Sequence, residues 1–252
     1  MRRAGAPSLR GTVSPRRPQW MRVAHRHLLV YLYLWVWAVL LAALAVTVAI
    51  GIIAQVGTVN VSIVQFIRNG PLVWFLFSLG IVVATSYLAP HVANGMTRRS
   101  FVRGSLAAAG LSSLIHTVTW VAMLLAEGAV YDRMGWDHDT TPGEEYTAGV
   151  WELGVGHVLL DHLLATLSGS VTGLLVGIAY YRLGGWWGTI ALPLTVLPIL
   201  AVMFLTTWSD VPFVPWEGPT WPAYAISGLL VIAGAAAFTL LARRAPIART
   251  ES

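Results

Sequence analysis

Six stretches of this 252-residue chain run for about twenty residues or more with almost no charge. They are Leu28–Ala54, Pro71–Pro90, Leu106–Ala126, Leu153–Tyr181, Trp186–Trp208 and Trp221–Ala242. A helix needs ~20 apolar residues to cross a hydrocarbon core of ~30 Å. Lipid offers the backbone no hydrogen-bond partner, so stretches of this length are expected to be helices that satisfy their own N–H and C=O groups. Strands of a membrane barrel would be about ten residues long with alternating polarity, and nothing in the chain alternates in that way. Only 11% of the residues are charged, where a soluble globule carries about a quarter. The expected fold class is an all-α integral membrane protein with six transmembrane helices.

An even number of spans puts both termini on one side, and the arginines choose the side. Fourteen of the basic residues fall in the N-terminal tail, the second and fourth connections and the C-terminal tail, against Arg68 and Arg133 on the other face. Positive charge marks the cytoplasmic side, so the expectation is N-in and C-in. Nine of the eleven acids lie in the outer connections, which agrees. Residues 1–19 are rich in Arg, Pro, Ser and Gly and read as a disordered basic cytoplasmic tail. Residues 20–246 form the membrane domain and 247–252 a second cytoplasmic tail. Trp20–His27 alternates apolar residues with Arg22 and Arg26, which suits either a short interfacial helix or a plain basic anchor.

The chain has no cysteine, which excludes disulfides, thiolate metal sites and a cysteine nucleophile. It also has no lysine. A P-loop needs one as its phosphate ligand, so this chain cannot hydrolyse ATP by that route. The second connection, 91–104, reads HVANGMTRRSFVRG: three arginines, no acid, and an Asn-Gly turn signal. Asn94-Gly95 can end the second helix with a left-handed residue. Thr97 can cap a new short helix, with Ser100 three residues on. Such a helix would splay Arg98, Arg99 and Arg103 towards an anionic partner and leave Phe101 free to enter a pocket.

The motif NGMTRRSF, residues 94–101, resembles the coupling segment of bacterial ATP-binding-cassette exporters of the type 2 permease family, above all their small actinobacterial members. The stretch GIAYYRLGGWWG at 177–188 resembles the arginine-glycine corner with which such permeases turn from span four to span five. The resemblance implies a permease subunit in the bacterial plasma membrane, working with a second copy or a close paralogue. It implies a short cytoplasmic coupling helix between spans two and three, in which Thr97, Arg98, Arg99, Ser100, Phe101 and Arg103 contact a separate ATP-binding-cassette ATPase subunit. ATP and Mg would sit on that partner, with no cofactor in this chain and no role for nucleic acid.

Polar residues inside the spans are the remaining candidates. Gly169, Gly173 and Gly177 recur every fourth residue and give a face for close helix packing. His157, Asp161, Ser168 and Thr172 share roughly one stripe of span four, and Ser112, His116 and Thr119 one stripe of span three. Together His116, His157, Asp161, Ser168 and Thr172 outline a possible polar pathway, since ionisable residues in a membrane are functional candidates by default. Asp161 is 21 residues from Arg182, ~31 Å along a helix, which puts it near the outer interface. His116 lies level with Ser168 instead, so the expected partner of Asp161 is His157, and His116 reads as a hydrogen-bonded helix contact. HVLLDH at 157–162 lacks the His-Glu-x-x-His spacing of a zinc protease, and the paired Glu144-Glu145 falls in an outer loop. The alternative to a permease is a non-transporting membrane sensor, immunity or assembly protein, and an intramembrane hydrolase ranks below it. Few charges along the pathway suit a lipid, a hydrophobic drug or an amphipathic peptide better than an ion. Pro193 and Pro198 should kink span five.

Overall fold

The computed structural model describes residues 18–57, 62–64, 73–136, 154–207 and 221–246. Most of the N-terminal tail, Arg68, the acidic stretch 137–153 with Glu144-Glu145, the Pro- and Trp-rich connection 208–220 and the tail 247–252 lie outside the described residues. The long elements are all helical: α1 (Gln19–Val56), α2 (Val73–Ser86), α3 (Leu88–Ala93), α4 (Arg98–Met134), α5 (Val155–Ile190), α6 (Leu192–Thr207) and α7 (Trp221–Arg243). Four of them, α1, α4, α5 and α7, are long and apolar enough to cross a membrane; α2 and α6 are shorter apolar helices. This is compatible with a multi-pass membrane protein.

Each boundary has a local cause. Pro18 opens α1, which then runs unbroken for 38 residues because it contains no proline and a single glycine, Gly51. Trp20–His27 is therefore the first part of α1 and not a separate interfacial helix. The chain breaks at Tyr87, between α2 and α3, three residues before Pro90. A proline ring collides with the carbonyl four residues back, here that of Ser86, the last residue of α2. Gly95, at φ 74°, takes the left-handed backbone that reverses the chain after Asn94. Thr97 then caps α4: its hydroxyl oxygen accepts from the Ser100 N–H at 3.1 Å.

From that cap α4 continues for 37 residues to Gly135. The separate short coupling helix expected from Thr97 does not exist as an element. No proline interrupts 98–134, and Gly104, Gly110 and Gly128 alone do not end a helix, so the segment is the first two turns of a long rod. At the other corner Gly184 (φ 75°, ψ −179°) divides α5 into two helical pieces. The chain doubles back there: the Tyr180 hydroxyl lies 3.0 Å from Thr189 Oγ1, and the Tyr180 ring covers Gly188. A further break falls at Ala191, two residues before Pro193, while Pro198 lies inside α6.

Contacts fix the relative directions. α1 and α4 run the same way, with Gly104 against Val23 and His116 against Trp35. α5 runs opposite to α4, because Ser113 pairs with Ser170 at 3.0 Å and Thr117 with Thr166 at 3.2 Å. α2 and α7 follow α5, through Val73–Gly169 and Phe77–Gly173 on one side and Val171–Gly234 on the other. α5 is thus the buried centre, and α1 lies at the periphery.

The α2–α5 seam is backbone against backbone. A Cβ on Gly169 would stand 2.9 Å from the Val73 carbonyl oxygen, and one on Gly177 would stand 2.8 Å from that of Ile81. A Cβ on Gly173 would overlap the Phe77 carbonyl, and Gly80 of α2 answers with 2.8 Å to Ser170 O and Leu174 N. Gly173→Leu should therefore destabilise by about 2–4 kcal/mol or more, at the upper range for overpacking. Gly228→Leu, with nothing within 4 Å of its added Cβ, should leave the melting temperature in detergent nearly unchanged. Equal melting of the two variants would contradict the seam.

Candidate functional site

The Thr97 end of the bundle is built around Phe101. Its side chain is fully buried, at 0% exposure. The rings of His27 (α1) and His91 (α3) meet it edge-on at 5.7 and 5.5 Å, and Tyr87 meets His27 at 5.4 Å. Hydrogen-bond contacts complete the clamp: Ser105 Oγ lies 3.3 Å from His27 Nδ1, and Ser100 Oγ 3.1 Å from His91 Nε2. Burial lowers the pKa of His91, partly opposed by its hydrogen bond to the Thr97 backbone. A neutral imidazole suits both roles.

This corrects one expectation. Phe101 does not stand out to fill a partner's pocket; it ties α1, α3 and α4 to one another. Ser100 is buried too, its hydroxyl donating to the Thr97 carbonyl at 2.7 Å. Helical geometry is the reason, since residues 100, 101, 104 and 105 share the side of α4 that faces α1 and α3. What remains outward is Thr97, Arg99 and Arg103, with Arg98 half-buried. Arg182 reaches the same end through α7, its guanidinium donating to the Leu241 carbonyl at 3.4 Å.

The polar residues of the middle are mostly satisfied within their helices. Ser112 donates to Ala109 O, Thr119 to Ile115 O and Ser168 to Ala165 O. His116 contacts a neighbouring helix, but by stacking on Trp35, with centroids 3.7 Å apart, and its Nδ1 has no hydrogen-bond partner among the described residues. The expected hydrogen bond is replaced by ring contact because Trp35 presents a face, not an acceptor. The buried Thr172 hydroxyl likewise lacks a partner. His157 sits against Trp221 at 5.3 Å and Tyr224 at 6.2 Å, one turn before the half-buried Asp161. These side chains are spread along α4 and α5 and do not converge on one point. Among the described residues no three His, Asp or Glu side chains group as a metal site.

One residue escaped the sequence reading. Glu127, near the far end of α4, is 4% exposed. Its carboxylate accepts from the Ser62 hydroxyl and from the Ile63 and Val64 N–H groups at 2.9 and 3.0 Å. It caps, from another helix, the turn that begins at Ser62. The signal was present: Glu127 is the first acid in the chain and directly follows an apolar run.

Comparisons with protein-family models, curated proteins and solved structures find no match. The site rests on its own geometry.

Phe101→Ala should cost about 3–5 kcal/mol, as for large core truncations, while Phe101→Leu should keep most of the stability. At the far end Glu127→Ala strands two backbone donors, at about 1–3 kcal/mol each. Glu127→Gln should be far milder, since the amide oxygen still accepts from both N–H groups and the amide can donate to Ser62. Thermal melting in detergent measures both series; equal loss for Gln and Ala would show that charge, not hydrogen bonding, holds the turn.

Proposed function

We propose that this chain is the permease subunit of an ATP-driven exporter of the ATP-binding-cassette type, energised by a separate ATPase subunit. The observation that carries the reading is the corner Pro90–Arg103. A capped turn presents Thr97, Arg98, Arg99 and Arg103 at one end of the bundle. Directly behind them, Phe101 locks that turn to α1 and α3. A partner pressing on the turn would move three helices as one body, the kind of rigid element through which closure of one subunit reaches another.

The topology fits the same reading. α2 with α3, and the piece after Gly184 with α6, supply two further passes beside the four long helices. Helix direction alternates along the chain accordingly. The reading is six spans with both termini cytoplasmic, in the bacterial plasma membrane, with a second copy or a close paralogue completing the transporter. Arg22, Arg26, Arg98, Arg99, Arg103, Arg182, Arg243 and Arg244 all belong to the Thr97 end, and the positive-inside rule makes that end cytoplasmic. ATP and Mg belong to the partner, since this chain has no lysine for a P-loop. Apolar spans with few charges suit a hydrophobic or amphipathic cargo.

The purified chain alone should neither bind nor hydrolyse ATP. Turnover should appear when the ATPase subunit is co-expressed and co-purified. Arg98→Ala with Arg99→Ala should lower the turnover stimulated by this chain by about tenfold or more, the effect of losing an interface hot spot, without moving the melting temperature. Nucleotide binding by the lone chain, or full stimulation by the double variant, would sink the assignment.

A further inference from the structure

α1 divides lengthwise. Val23, His27, Tyr31 and Trp35 are buried against the bundle. About a third of a turn away runs an outward column at three- and four-residue steps: Arg22, Arg26, Leu29, Tyr33, Trp37 and Leu40. The four apolar members are each more than half exposed, from 53% at Leu29 to 66% at Tyr33. The two guanidiniums at the foot have no ion pair among the described residues, and the chain contains no acid before Glu127. Arg26 is held in place by Tyr87, with the guanidinium carbon 6.0 Å from the ring centroid.

We propose that this column is the binding face for one anionic phospholipid of the leaflet on the arginine side, its phosphate on Arg22 and Arg26 and its acyl chains along Leu29, Tyr33, Trp37 and Leu40. The dimensions agree. Leu29 to Leu40 rises ~17 Å at 1.5 Å per residue, about half of a ~30 Å hydrocarbon core, which is one leaflet. The chemistry agrees as well, because two guanidiniums one helical turn apart match the oxygens of a single phosphate. Basic clusters at the membrane surface recognise anionic headgroups. A second copy of the chain fits less well. A two-fold pairing through this face sets each Arg22 and Arg26 against its own image, with no acid to separate them. An acidic protein segment would satisfy the arginines and leave the apolar column bare. The proposal rests on the membrane reading and the orientation above, and not on the transport activity.

The test is native mass spectrometry of the purified full chain, exchanged from detergent into mixtures of phosphatidylglycerol and phosphatidylcholine. The wild type should retain phosphatidylglycerol preferentially. Arg22→Gln with Arg26→Gln should weaken that retention by about 25-fold, from about fivefold for each surface arginine. Arg22→Lys with Arg26→Lys should keep most of it, and Arg98→Gln with Arg99→Gln should leave it unchanged. Equal retention of the two lipids by the wild type would overturn the proposal, as would undiminished phosphatidylglycerol on the glutamine variant. So would stronger self-association of the glutamine variant at unchanged lipid retention, which would identify a second copy as the occupant. Free inorganic phosphate should not compete at millimolar concentration; full competition would mean an anion site without a lipid.

Discussion

The backbone contact between α2 and α5 is the interaction on which the rest of the bundle depends. Lipid tails are as apolar as leucine, so helices in a membrane gain little from burying grease against grease. They associate where surfaces fit closely enough for dispersion forces and backbone dipoles to act. Gly169, Gly173 and Gly177 on one helix and Gly80 on the other let the two backbones meet, with only Val73 and Ala84 placing side-chain atoms against these glycines. Once α2 lies in this groove, α5 has committed one side. Its other sides take α4 through two hydroxyl pairs and α7 through Gly234. α1, left outside, is held by α4 through Val23, His27 and Trp35.

Much of this was legible in the sequence, and the legible parts share a cause. Apolar helices, caps and turns are set by local chemistry. The pair Asn94-Gly95 and the Thr97 cap act on the backbone within a few residues of themselves. The glycine repeat was legible as a packing face because only small residues permit such an approach. What the sequence did not yield is which side of each helix turns inward. In water an amphipathic pattern marks the buried side. Here core and lipid are both apolar, so that pattern fades. Phe101 read as a free aromatic among arginines, yet it faces α1 and α3. His116 read as a hydrogen-bonding residue, yet it stacks on Trp35. The continuity of α4 through Arg98–Met134 was missed for a related reason: charge at 98–103 suggested a boundary, but charge does not end a helix when a cap precedes it and nothing breaks it.

α4 emerges as the mechanical member. It is 37 residues long, ~55 Å at 1.5 Å per residue, and it is fastened near both ends by different chemistry. At the arginine-rich end Phe101 and two histidines join it to α1 and α3. At the acidic end the Glu127 carboxylate holds the turn at Ser62–Val64. A carboxylate that accepts three hydrogen bonds allows little sliding, because each bond weakens steeply with angle and distance. A displacement applied at Thr97 would carry α1 and α3 with it through Phe101 and would reach the Ser62 turn by moving the rod as a whole.

That asymmetry bears on how force could be used. Gly104 lies against Val23 and the Trp20 carbonyl, so α4 cannot tilt at its arginine end without carrying α1. The centre of α4 meets α5 through two hydroxyl pairs, Ser113–Ser170 and Thr117–Thr166, each worth about 1 kcal/mol, with apolar packing on either side. These can exchange partners with the carbonyls of their own helices, as Thr166 already does with His162 O at 2.8 Å. The polar contacts of the rod are thus fixed at its ends and exchangeable at its middle, against a central helix whose own glycine groove is committed to α2. α1 also meets α2 through Trp35 and Phe75 and the α2–α3 junction through His27 and Tyr87, so α1 and α4 do not stand apart from them. Two buried polar groups lack partners among the described residues, His116 Nδ1 on α4 beside Trp35 of α1 and the Thr172 hydroxyl on α5.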